Sequence, residues 1–364
     1  MSGTSRNPGG IAAILLGGWL AMGAEPTHET PVPSSAPAPA VPAPTFTIPA
    51  PARARVVVVE DPAATVAYQP QREVLRRMVD RGLTHLTGQP TPEAAWRSLV
   101  STQEVVGIKV HAAPGALSGT RPAVVEALVS SLLTAGHPPE RVVIWDRQMA
   151  PLRQAGFVDL AARQGVRVAA ALEAGYDTNE FYENSILGQV VHGDVDFDQQ
   201  GPSLSRRSYV SRLVSRELTK IISVVPLLNH NHTGVSGHLA GLALGSVDNT
   251  LRFSGDAGRL AVAVPEICAL PLLGDRVVLN VTDALLAQYY GEERTLLHYS
   301  AVLNQLWFGT DPVALDVLAI RELEHQRERA GRPAVKTSLA LYQNAELLQI
   351  GVSDLKQVLV ERVR

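Results

Sequence analysis

From residue 54 onward, short β-branched runs alternate with longer segments of helical apolar periodicity. The clearest example is "VVGIKVHA" (105–112), a strand, followed by "TRPAVVEALVSSLLTAG" (120–136) and "ERVVIWD" (140–146), a second strand. The middle segment reads as a helix capped by Thr120, with Pro122 in its first turn and Gly136 at its end. A strand, a helix and a strand in close succession form a βαβ unit, because parallel strands need a crossover rather than a tight turn. The chain is therefore expected to fold as α/β, a largely parallel or mixed sheet flanked by helices, in a single main domain over residues 54–364. Further strands are expected at 54–61, 166–172, 220–227 and 276–285. Helices are expected at 71–88, from Thr91 and Pro92 onward, and at 236–245, 256–268, 311–330 and 337–349. Residues 175–210 are polar and irregular and read as a hairpin or flap.

Residues before this region have another character. An apolar heart from Ile11 to Ala24 follows Arg6 and ends in small residues, the pattern of a secretory signal peptide over residues 1–24. It is short and glycine-rich for a bilayer span, and the mature chain has no other stretch that approaches one. Residues 25–53 alternate Pro and Ala and read as a disordered linker. The expectation is an exported, periplasmic or otherwise extracytoplasmic protein.

A net charge of -3 and scattered Lys and Arg argue against a nucleic-acid partner. The single cysteine, Cys268, excludes an intrachain disulfide framework and a four-cysteine iron–sulfur cluster. Its apolar context reads as a buried, inert thiol.

In open α/β sheets, ligands sit beyond the carboxyl ends of the strands. Lys109 and His111 end one strand, Asp146 and Arg147 the next, and "LLNHNHTGVSGHLAG" (227–241) follows a third. Asn280, Thr282 and Asp283 end a fourth. Lys109 sits in an otherwise apolar strand, where it can hold a carboxylate or phosphate. His111 shares its face. His230 and His232, two positions apart, would face one side of a strand and could chelate a divalent metal with Asp283. The spacing matches no strict metal motif, so acid–base and purely structural readings of these histidines stay open. Ser236 in "GVSGH" lacks the Gly-x-Ser-x-Gly spacing of a nucleophile elbow and reads instead as a helix cap. Asp311 in "GTDPVALD" reads as another cap, and Asp316 as either site-facing or an exposed helix carboxylate.

Three stretches resemble the domain-of-unknown-function family 362. They are "VVGIKVHAAPGALSGTRPAVVEALVSSLLTAGHPPERVVIWDR", "KIISVVPLLNHNHTGVSGHLAG" and "LWFGTDPVALDVLA", and the resemblance spans about residues 100–325. The matching polar positions are Lys109, Asp146, His230, Thr233, Gly234, Asp311 and Asp316. The resemblance implies no particular reaction. Some members carry ferredoxin-type cysteines, which this chain lacks, so no iron–sulfur cluster is expected. Where members often have Lys, this chain has Asn229, and Ala240–Gly241 stands where they often have Lys-Asn.

The combined expectation is an enzyme acting on a small anionic substrate. Lys109, His111, Asp146 and His230 would serve as its catalytic set, and His230, His232 and Asp283 as ligands of any divalent metal. The alternative is a non-catalytic envelope protein that captures a metal or metabolite.

Overall fold

The computed structural model describes residues 54–184 and 206–364; the expected leader, the expected linker and the middle of the expected flap lie outside them. Nine strands build the main sheet: β1 (Ala54–Glu60), β2 (Val106–Val110), β3 (Val142–Asp146), β4 (Arg167–Ala170), β5 (Lys220–His230), β6 (Gly234–Val235), β7 (Val277–Gln288), β8 (Ser300–Gly309) and β9 (Val358–Val363). Their order is β9-β1-β8-β7-β5-β2-β3-β4, with β6 folded back on β5. Strands β7, β5, β2, β3 and β4 run parallel, while β8 opposes both of its neighbours. The mixed α/β sheet is thus the expected fold. The polar segment contributes an antiparallel hairpin, Tyr176–Glu183 against Arg207–Ser211.

Helices cover both faces. On one lie α1 (Arg72–Thr87), α2 (Pro92–Leu99), α3 (Pro122–Thr134) and α4 (Phe157–Gln164). On the other lie α5 (His238–Ser246), α6 (Ala257–Cys268), α7 (Pro312–Arg329) and α8 (Ala340–Leu347). Alternation along β2 sorts its side chains: Val106, Ile108 and Val110 pack with the first group of helices. Gly107 and Lys109 turn to the second face, against Trp145 and α5. The chain leaves β2 toward β3 on one side and returns as β5 on the other. The crevice between the ends of β2 and β5 is therefore a topological switch point.

Several capping expectations are corrected. Thr120 does not cap α3. Its hydroxyl donates to Val224 O (2.7 Å) and accepts from His111 N (2.9 Å), tying the end of β2 to β5. Ser236 does not cap α5 either; that role falls to Asp316, reaching across from α7. His238 N and Leu239 N donate to its two oxygens at 2.7 and 3.1 Å. Asp316 is therefore buried and neither exposed nor site-facing. The approach requires glycine at 237, where a Cβ would lie 2.3 Å from Asp316 Oδ1. Asp311 does cap α7, through Ala314 N at 2.8 Å, and also accepts Val352 N at 2.9 Å. Cys268 is buried as expected, its thiol pKa pushed up by burial.

Removing the cross-helix cap should be costly. Asp316→Ala leaves two buried helix N–H groups without an acceptor, and the urea midpoint should report a loss of about 2–3 kcal/mol. Asp316→Asn keeps one acceptor and should lose less than half of that.

Candidate functional site

A cavity of about 350 Å³ opens at the carboxyl ends of β2, β3 and β5, walled on one side by α5. Lys109, His111, Asp146, Arg147, His230 and Glu293 all reach it. At its floor lies a buried ion pair. Lys109 Nζ donates to Asp146 Oδ1 at 2.8 Å and to Val110 O at 2.7 Å. Asp146 also accepts Arg147 N on Oδ1 and Ala112 N on Oδ2, each at 2.8 Å. Burial alone would push the Asp146 carboxyl up, but Lys109, His111 and these N–H donors outweigh it and hold it below the usual range. The pair thereby fixes the turn that carries His111. Lys109 has room only because residue 245 is glycine, where a Cβ would lie 2.3 Å from Lys109 Cε.

His111 is largely buried, and its Nε2 has no hydrogen-bond partner. Burial pushes the imidazole down to about 4; nearby Asp146 opposes this, while Lys109 and His230 add to it. The ring is thus neutral at pH 7. Glu293 Oε1 stands 3.9 Å from Nε2. Burial also lowers His230. Its Nδ1 accepts His232 N at 3.3 Å and Thr233 N at 3.2 Å, so the neutral ring carries its proton on Nε2. Arg147 lies at the rim and donates to Thr250 Oγ1 at 3.0 Å.

The proposed metal set does not converge. Metal binding through His230 Nε2 would require the proton on Nδ1, where two backbone N–H groups already point. His232 is exposed, its ring centroid 5.9 Å from that of His230. Asp283 is committed elsewhere. It accepts Arg121 Nη1 at 2.8 Å and Arg121 N at 3.0 Å, fastening the start of α3 to β7. Among the described residues no cluster of three or more His, Cys, Asp or Glu side chains has the geometry to hold a metal ion. These residues do not fit a divalent metal.

The profile of the domain-of-unknown-function family DUF362 matches residues 106–321, more than half of the sequence. The chain belongs to the DUF362 family. No curated protein matches it. A crystal structure of a protein from Thermotoga maritima is similar over 72% of this chain and 60% of its own, with 12% identity and a TM-score of 0.41. The DUF362 chain thus spans less than two thirds of that protein.

The DUF362 motifs divide between site and scaffold. Lys109, Asp146 and His230 reach the cavity. Thr233 shapes the β5–β6 turn, its hydroxyl donating to Val235 O at 2.8 Å and its carbonyl accepting Tyr342 Oη at 2.8 Å. Asn229 accepts Glu292 N at 3.1 Å and so pins the loop that carries Glu293. Glu293 was missed from sequence because the expected strand stops at 285 and Glu293 lies eight residues beyond it, in a polar turn without periodicity. Ser236 also lines the cavity. Among the described residues no helix is long and apolar enough to cross a membrane.

Lys109→Met would leave Asp146 as an uncompensated buried charge and should cost about 3–5 kcal/mol by chemical denaturation. Adding Asp146→Asn should recover part of this, giving a coupling energy that a double-mutant cycle reads directly.

The depressed pKa of His111 also sets a pH dependence. The unfolded chain takes up a proton below about pH 6.5 and the folded one only near 4. This contribution is therefore full above 6.5 and lost as pH falls toward 4. Between pH 7 and pH 5 the wild type should lose about 2 kcal/mol more than His111→Gln. Asp316, raised by burial to about 7, acts in the opposite sense, but in both proteins alike.

Proposed function

We propose that this DUF362 chain is an exported enzyme that binds a small anionic substrate at the switch-point cavity and moves a proton through His111. The observation that carries this reading is a neutral, largely buried imidazole that lines the cavity and whose Nε2 has no hydrogen-bond partner. Such a group is poised to accept a proton once a substrate replaces the missing partner. An arriving anion favours the imidazolium, so the base strengthens when substrate is present. Glu293, 3.9 Å from Nε2, would pair with the charge that forms.

His230 takes a different part. With Nδ1 fixed as an acceptor, its Nε2–H can donate to a substrate oxygen but cannot take a proton from one. Lys109 spends its charge on Asp146, so the cation facing the ligand is Arg147 at the rim. Lys109 and Asp146 then act as positioning residues for His111. The signal-peptide pattern read in residues 1–24 supports export.

The test uses the purified full chain with acetate, malonate, lactate and inorganic phosphate. At least one should raise Tm by a few degrees, and Arg147→Ala should abolish the rise. A compound that binds is then followed by proton NMR in D2O. Its consumption or C–H exchange should fall by roughly 100-fold or more in His111→Gln. Binding without any turnover in the wild type sinks the enzyme reading; an absence of binding sinks the site itself.

A further inference from the structure

Three glycines stand on or beside α5, and the fold accounts for two of them. At 237 a Cβ would strike Asp316, and at 245 it would strike Lys109, each at 2.3 Å. At 241 the nearest atom to a Cβ is Val225 Cγ1 at 3.7 Å, an ordinary van der Waals contact, and nothing else lies within 4 Å. Its backbone is helical, so no unusual φ asks for glycine. Glycine weakens a helix interior relative to alanine. The protein thus carries a helix-weakening residue where its own packing would accept a side chain. What the missing side chain leaves is cavity, because Gly241 lines the site.

The surroundings of that space are mainly apolar. Ala240 and Leu244 continue the wall on α5, and Pro151 and Leu251 also line the cavity. A polar group stands among them. Ser236 lines the cavity, is 6% exposed, and its hydroxyl has no hydrogen-bond partner. A buried hydroxyl without a partner is costly, and a ligand oxygen would relieve that cost.

We infer that the site takes a small carboxylic acid with an apolar body, rather than a compact anion. Gly241 sets the room for that body, and the Ser236 hydroxyl holds the polar end. The inference rests on the anionic-substrate reading above and narrows it to a substrate class. Ser236 serves here as a hydrogen-bond donor and not as a nucleophile. Selectivity comes from burying an apolar body against α5, which a compact anion cannot do.

The test measures binding of benzoate and of acetate to the full chain by titration calorimetry. In the wild type benzoate should bind roughly tenfold or more tightly than acetate. Gly241→Val should weaken benzoate about tenfold and leave acetate within about twofold, whereas Ser236→Ala should weaken both. Gly241→Ala guards against misfolding: its methyl has room, so the free protein should melt no lower than the wild type while benzoate still weakens severalfold. Benzoate binding no tighter than acetate, or unchanged in both Gly241 variants, overturns the inference and leaves the small-anion site standing. Binding of neither probe overturns the inference, and it overturns the small-anion site as well when malonate, lactate and phosphate also fail to bind.

Discussion

The buried contact between Lys109 and Asp146 organises the carboxyl edge of the sheet. A lone ammonium or carboxylate at that depth would be untenable, so each exists there because of the other. Asp146 uses its remaining acceptor capacity on Ala112 N and Arg147 N, and so holds the turns leaving both β2 and β3. His111 lies within one of those turns and Arg147 begins the other. A single charged contact therefore fixes the positions of two groups that face the cavity. The requirement reaches into α5, where glycine at 245 makes space for the lysine stem.

A second bond of long reach serves the opposite wall. Asp316 on α7 caps α5, and His238 anchors the same helix to the sheet through Ser223 Oγ at 2.8 Å and Thr282 Oγ1 at 3.0 Å. Burial keeps that imidazole neutral, which suits bonding to two hydroxyls. The DUF362 stretches around 234–238 and 311–316 are thus two halves of one joint. Their separation in sequence hides a direct contact.

Much of the frame was legible because the apolar runs of β2, β3 and β5 and the periodicity of α3 are local signals. Lys109, His111, Asp146 and His230 could be placed at one edge because strand direction and alternation follow from those signals. The missed parts depend on distant partners. Strand β8 carries Asn304 and Gln305 in its middle, and Asn304 sits at φ +55, which breaks any alternation. Strand β9 is short and charged, as edge strands tend to be. The joint reading of His230, His232 and Asp283 failed for a related reason. Asp283 pairs with Arg121, 162 positions away, and nothing near "NVTDAL" announces that partner. The Ser236 reading failed similarly, because the acceptor for α5 comes from another helix.

The placement of β1 has a consequence for how the molecule assembles. This first strand of the sheet sits between β8 and β9, and Arg55 pairs with Glu361, 306 positions away, with bonds of 2.6 and 2.8 Å. β1 therefore has no partner in the sheet until residues 300–363 exist and can reach it. Closing so long a loop is slow, and a chain emerging from its amino end would carry "RVVVVE" unpaired throughout. The apolar strand at the start of the domain must be sheltered, or remain unfolded, until its far end arrives.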